Sequence, residues 1–466
     1  MSTEQSRAGA ALSPAARLDR LPITGWHRML TVLVGLGSFF DLYEVFLGGV
    51  LASILTEEWK LGSTGKSLVI ASAFFGMFVG ANVNSLLADR FGRRRMFMIN
   101  LVSYALLSLA SGFSPNLTVF VVLRFLAGIG IGSELVLVDT YLAEFIPGRA
   151  RGRAIAWAYV VGFLGVPLAA LIGAKVVGKA TFAGIAGWRW LLIAGAIGAI
   201  FVFLARTKLP ESPRWLVARG RTEEADAVVA QVEARVYAAR PDARPAETEA
   251  VAQEHAVEPR RITLADTFKG TYRKRTIMLW IFQILQTVGY YGFGTMAPLV
   301  LVSKGYTVTS SLGYAALSFL GYPIGALVSV PMVERLERKW LIVYSTIAIA
   351  VFGLIFGFGT NTALIVTAGF LLTVSSNVFS NAFHIYQTEL FPTRVRTSAM
   401  GIGYSLSRLA SAILPFVAVS VLAALGAGGV FGGAAVLLGV LCLDVAILGP
   451  RTTGRDLEEV VTVDGH

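Results

Sequence analysis

The sequence predicts an all-α membrane protein: twelve transmembrane helices in two six-helix, pseudo-symmetric bundles. Three observations carry this. The 466 residues are 55% hydrophobic and 15% charged, with a mean hydropathy of +0.67, outside the usual range of soluble domains. Apolar runs of about 20 residues, enough to cross about 30 Å of hydrocarbon, are centred at about 42, 77, 104, 131, 164, 197, 289, 322, 349, 376, 410 and 438. Lipid satisfies no backbone polar group, so such runs cross as helices. Finally, the chain repeats itself at a fixed offset.

Along the chain, the first 25 residues are polar and contain arginine, with no apolar core before a small-residue cleavage site, so a cleaved signal peptide is not expected. The first span, around FFDLYEVFLGGVLASIL, carries Asp41 and Glu44 near its middle. A charge at that depth costs about 2.5–3.5 kcal/mol on insertion scales, so both demand a reason. ADRFGRRR follows the second span and RFLAGIGIGSE lies in the fourth. After span six comes a polar segment. Its stretch 221–236 has an amphipathic helical pattern, 240–259 is rich in Pro, Ala and Glu and reads as flexible, and 262–275 reads as an interfacial helix entering span seven.

YLAEFIPGRAR begins at Tyr141 and YQTELFPTRVR at Tyr386, an offset of 245 residues. The same offset places Asp89, Arg90, Arg93 and Arg94 on Glu334, Arg335, Arg338 and Lys339. Two motifs sharing one offset mean a parallel repeat. The expected domains are 1–207, a first six-helix bundle; 208–274, a linker with amphipathic helices; and 275–466, a second bundle with a short tail.

Charge orients the chain. Of 40 Lys and Arg, nearly all fall in loops sharing a side with both termini, while the opposite loops hold Lys60, Lys66, Lys175, Lys179 and Lys304. That asymmetry puts both termini in the cytoplasm of a multi-pass protein of the inner (plasma) membrane. It also accounts for the net charge of +11 without nucleic acid. One cysteine, Cys442, excludes an intrachain disulfide, and four histidines show no zinc spacing. Neither a metal nor another cofactor is expected.

SLLADRFGRRR resembles the cytoplasmic signature of the major facilitator superfamily, with Ser85 where the family has glycine; Arg124 with Gly128, Gly130 and Gly132 resembles its fourth-helix element. PESPRWL (210–216), DLYEVF and GSELVLVDTYLAEFIPGRARG resemble the organic-ion and synaptic-vesicle-glycoprotein branch, and GYSLSRLASAILPF its organic anion transporters. The resemblance implies alternating access, and a niacin-type or aromatic-acid carrier is within its range. It also implies gating roles for Asp89, Arg90, Arg93 and Arg94, and a substrate-facing Arg408. Glu144, Glu334, Arg338 and Glu389 join the gating set as ion-pair candidates at span ends.

The polar residues divide unevenly. Asp41, Glu44, Arg124, Glu134 and Asp139 lie within first-half spans; Arg408 lies in the second, where its repeat partner is Phe163. Tyr404, Ser407, Arg408 and Ser411 share one helix face, as do Asn377, Asn381 and His384, and Gln283, Gln286 and Tyr290. An anion is drawn to the second half. The first half offers proton sites, because burial favours a carboxylate's neutral form and a nearby guanidinium its charged form. Arg124 needs a carboxylate partner, with Asp41 and Glu44 as candidates. The candidate substrate residues are Arg408, Tyr290, Tyr291, Gln286, Asn377, Asn381, His384, Tyr43, Trp157 and Tyr404.

No GxxxxGK[ST] element is present, so ATP hydrolysis is not the energy source. No nucleophile–base constellation points to an enzyme. The reading is a monomeric, proton-coupled carrier of a small organic anion, with substrate, proton and lipid bilayer as its partners. The alternatives are a cation or drug:proton exporter using Asp41 and Glu44, and a non-transporting sensor of the same fold.

Overall fold

The computed structural model describes residues 13–132, 134–177, 181–182, 184–207, 209–243, 268, 270–391 and 393–452. Most of the stretches expected to be flexible (240–259) and interfacial (262–275) lie outside the described residues, as do the side chains of Asp89 and Glu334.

A short helix α1 (Pro14–Asp19) precedes the bundle. Ser13 caps it by accepting from the Ala16 N–H at 3.3 Å, and Pro14 takes the first turn. The first half holds α2 (Gly25–Glu58), α3 (Ser63–Phe91), α4 (Arg93–Ser111), α5 (Leu117–Ile131) with α6 (Glu134–Phe145), α7 (Gly148–Phe163) with α8 (Gly165–Val177), and α9 (Gly187–Arg206). The pairs α5–α6 and α7–α8 each make one span. A small hairpin of β1 (Thr181–Phe182) and β2 (Ile185–Ala186) joins α8 to α9.

Two helices follow the sixth span, α10 (Pro213–Ala218) and α11 (Thr222–Ala239). Ala225, Val229, Val232 and Val236 form the buried stripe of α11, at the spacing the sequence shows. Arg17 of α1 ties α11 down, donating to Asp226 at 3.0 Å and Glu233 at 2.5 Å.

The second half holds α12 (Gly270–Thr287) and α13 (Phe293–Ser303), joined by a π turn at Val288–Gly292, then α14 (Val308–Phe319) with α15 (Gly321–Arg335), α16 (Arg338–Phe358) and α17 (Thr362–Glu389). Last comes α18 (Thr393–Leu448), which breaks at Gly426, φ +66°, into two spans. Together these are twelve spans in two halves of six.

The repeat is visible in geometry. Arg93 meets Glu144 at 2.9 Å, and the residues 245 further on, Arg338 and Glu389, meet at 2.9 Å. Tyr141 donates to the Pro210 carbonyl at 2.6 Å, and its counterpart Tyr386 to that of Pro450 at 2.8 Å. Gly92, between α3 and α4, has φ +103°, and a Cβ there would press on the Glu211 carboxylate.

The halves meet tightly at the end away from the termini. Gly49 lets α2 lie on the Thr295 backbone of α13, and Gly173 of α8 faces Leu312 of α14. Ser67 donates to the Pro415 carbonyl at 3.2 Å. Toward the terminal face, Asn82 and Ser405 pair at 2.9 Å among exposed groups.

Candidate functional site

At mid-depth, α18 presents Arg408, only 2% exposed. Its guanidinium donates to the hydroxyl of Tyr291 at 2.6 Å and to that of Tyr404. It stacks over both rings, 5.2 Å and 4.6 Å from their centroids, and reaches the Met77 sulfur across the interface between the halves. Among the described residues no carboxylate lies within ion-pair distance of it, and its Nε has no partner.

Rings close the site on the side away from the termini. Tyr290 and Tyr291 pack edge to face at 4.6 Å, Phe74 meets Tyr291 at 5.2 Å, and Phe163 stacks on Tyr322 at 5.5 Å. Among the described residues the buried Tyr322 hydroxyl has no partner, nor has the whole amide of Asn377. The spacing of Gln283 and Gln286 carries their stripe on to Tyr290, yet Tyr291 is the residue that reaches Arg408. The π turn explains this: it inserts an extra residue and rotates the next position onto the face.

A polar chain runs from this site toward the terminal face. Gln286 donates to Gln283 at 3.4 Å, Gln283 to Gln387 at 3.2 Å, and Gln387 pairs with the His384 ring at 3.5 Å. The His384 ring lies 6.0 Å from that of Tyr159 in the other half, and Tyr159 donates to Asp139 at 3.2 Å.

Among the described residues the first half contains two fully buried ion pairs. Arg124 pairs with Glu44 and donates to its backbone carbonyl at 2.9 Å, and Ser108 donates to the other Glu44 oxygen at 2.5 Å. Of the two candidate partners for Arg124, the structure thus selects Glu44. The second pair was not legible as such. Arg206, at the end of α9, meets Glu134 at 2.7 Å with both side chains buried, lies 4.2 Å over the Phe97 ring, and donates to the carbonyls of Leu33 and Val34. Gly37 leaves room for that guanidinium.

Other candidates fall elsewhere. Tyr43 lies inside the first half, donating to the Leu191 carbonyl at 2.8 Å. Trp157 is 51% exposed and two residues from Tyr159, hence on the opposite helix face, away from the rings. Asn381 bonds Ser329 at 2.5 Å and joins α17 to α15. Arg93–Glu144 and Arg338–Glu389 each close within one half, Arg90 stacks 5.5 Å from the Phe91 ring, and the Arg94 backbone N–H donates to the Glu211 carboxylate at 3.0 Å. Between the halves no ion pair forms among the described residues. In this arrangement the halves close at the end away from the termini.

The sequence reading also passed over Arg206, Glu211 and Asp444. Asp444 is 7% exposed on the last span, with neither oxygen partnered among the described residues. The signal for Arg206 was available: Glu134 inside a span requires a cation.

Residues 31–463 match the family described as sugar (and other) transporter. The chain belongs to that family, within the major facilitator superfamily. The transporter is 30% identical over 446 residues to the niacin transporter NiaP of Acinetobacter baylyi, covering 96% of this chain and 99% of that one. It is 26% identical to the arabinose-proton symporter of Bacillus subtilis, covering 96% and 98%. Among solved structures, it resembles the proton:xylose symporter XylE bound to 6-bromo-6-deoxy-D-glucose, with TM-score 0.70 and 19% identity over 95% of this chain and 100% of that one. It also resembles the partially occluded inward open form of XylE from E. coli, with TM-score 0.73 and 18% identity over 93% and 100%. These structures establish the fold. The transporter is a membrane carrier and not an enzyme.

Proposed function

We propose that this transporter moves a small organic carboxylate by alternating access, coupled to protons. It does so as a monomer in the plasma membrane, with both termini in the cytoplasm as the loop charges direct. The observation that carries the reading is Arg408. Two fully buried guanidiniums in the first half have carboxylate partners, whereas Arg408 is as buried and faces only phenol hydroxyls and a thioether among the described residues. A desolvated cation without a counter-ion is costly, and a substrate carboxylate supplies the missing charge through two parallel hydrogen bonds.

The rings of Tyr290, Tyr291 and Phe163 beside it suit a flat aromatic acid, and the relationship to a niacin transporter agrees with nicotinate or a similar ring acid. The buried, unpartnered Asn377 offers a donor and an acceptor for a ring substituent. Proton coupling rests on the buried acids of the first half, whose charge a proton can cancel.

The test is uptake into proteoliposomes of labelled aromatic carboxylates, their amides and amines, with and without an inward proton gradient. Carboxylates are expected to accumulate above equilibrium only with the gradient. Accumulation of amines, with none of the acids, would overturn the reading in favour of a cation exporter.

A further inference from the structure

Behind the π turn lies a cavity of about 410 Å³, inside the second half. Its inner wall is the turn itself, through Val288, Gly289 and Gly292, with Phe293 and Met296 of α13 beyond. Residues of α16, α17 and both arms of α18 complete it, and every lining side chain is apolar. Neither Arg408 nor Tyr291 borders it; Tyr291 leaves the same turn to reach Arg408. Small residues make the space. A Cβ at Gly433 would meet nothing within 4 Å, and one at Gly289 only Leu438 and Ile349, at 3.2 Å and more.

The mouth lies between the arms of α18. Val417 on one arm and Val436 and Leu437 on the other are 56%, 69% and 41% exposed, on spans that hydrocarbon surrounds. The inner wall is not on that surface: Phe293, Met296 and Phe431 are 3%, 2% and 6% exposed. The lining residues of α18, 414–421 and 429–438, flank the break at Gly426, so the cavity sits in the membrane half away from the termini.

The occupant follows from these surroundings. An empty apolar cavity costs stability in proportion to its volume, because the lining lacks contacts. Water finds no side chain to bond there, and a carboxylate would give up its hydration for nothing. Hydrocarbon matches the wall, and the cavity is continuous with the surface that the bilayer covers.

We propose that one acyl chain of a phospholipid, from the leaflet away from the termini, inserts between the arms of α18 and props the π turn that sets Tyr291 on Arg408. The chain is recognised, and not the headgroup. Bound lipid and bound acid favour the same form of the turn, so each strengthens the other's binding. That coupling rests on the carboxylate reading above; the lipid site does not.

The test uses the full-length carrier in nanodiscs containing a phosphatidylcholine with a diazirine on one acyl chain. After irradiation, mass spectrometry is expected to find label on the buried wall, at Phe293 or Met296, as well as on outward-facing Val436. Label confined to outward-facing residues overturns the proposal. So does an unlabelled wall in discs that each hold two copies, which would give this face to a second copy of the chain. Gly433→Leu fills the open space and is expected to abolish the inner-wall label while Val436 stays labelled. Ala350→Leu does the same from α16 should that variant fail to fold. Inner-wall label that persists in both overturns the site. For the coupling, an aromatic acid is titrated into carrier held in a steroid detergent, before and after phosphatidylcholine is added. Lipid is expected to tighten acid binding in the wild type and to leave Gly433→Leu unchanged; an equal response in both overturns the coupling. If the wild type binds no acid, the carboxylate reading falls, and the labelling still decides the lipid site.

Discussion

Removing the charge of Glu44 is expected to damage the fold, whereas removing that of Asp41, one helical turn away, is not. Glu44 receives Ser108 at 2.5 Å on one oxygen and the fully buried Arg124 on the other. Glu44→Gln keeps the shape and one acceptor but no charge. A hydrogen bond to a charged group contributes about 1.5–3 kcal/mol, and a buried ion left alone costs about 3–5 kcal/mol. The glutamine variant should lose about 2–4 kcal/mol, and Glu44→Ala about 3–5 kcal/mol. Asp41 is partnered by no cation within ion-pair distance among the described residues, so Asp41→Asn should be neutral or stabilising. Carriers unfold irreversibly, so the readout is a half-life at fixed temperature and detergent, followed by size-exclusion chromatography. If the loss lies in the unfolding barrier, about 2–4 kcal/mol shortens that half-life by about 30- to 900-fold. Equal half-lives for Glu44→Gln and Asp41→Asn would refute the assignment of Glu44 as the structural partner.

Gly49→Val puts a side chain onto the Thr295 backbone and should keep the halves apart at the end away from the termini. A Phe46→Cys reporter in a Cys442→Ser background should then react faster with an impermeant maleimide; an unchanged rate would contradict the closure. Tyr291→Phe removes a charge-assisted contact to Arg408 and should weaken acid binding about tenfold or more, while Tyr290→Phe changes it little. Equal effects in titration calorimetry would mean the π turn does not select between them. Glu144→Gln and Glu389→Gln break largely buried pairs and should each cost about 1–3 kcal/mol, with similar effects on thermal half-life. Markedly unequal losses would contradict the symmetry of the two pairs.

Much of this architecture could be read from the sequence, because it follows from solvation. Lipid fixes span length, the loops keep their charge on one side, and an exact 245-residue offset exposes the repeat that Arg93–Glu144 and Arg338–Glu389 later realise in space. The partner of Arg124 was narrowed to two acids by the cost of a lone buried cation. Other features leave a weaker trace or none. Arg206 sits at a span end, where a basic residue reads equally well as topology, and Asp444 hides in the last turns of an apolar run. A one-residue π insertion has no periodicity of its own, so the stripe of α12 pointed to Tyr290. Helices apolar on nearly every face give a single aromatic no direction. Hence Tyr43 and Trp157 were grouped with rings they do not join.

The central claim is that Arg408 recognises a carboxylate. The most direct measurement compares binding of an aromatic acid and its uncharged amide to the wild type, Arg408→Lys and Arg408→Ala by titration calorimetry. Lysine cannot reproduce the guanidinium's two parallel hydrogen bonds, and a charge-assisted contact contributes about 1.5–3 kcal/mol. The account predicts acid affinity about 10- to 150-fold weaker in Arg408→Ala, with Arg408→Lys in between and amide affinity nearly constant across all three proteins. Equal losses for acid and amide would show that Arg408 only holds helices together, and would contradict the assignment.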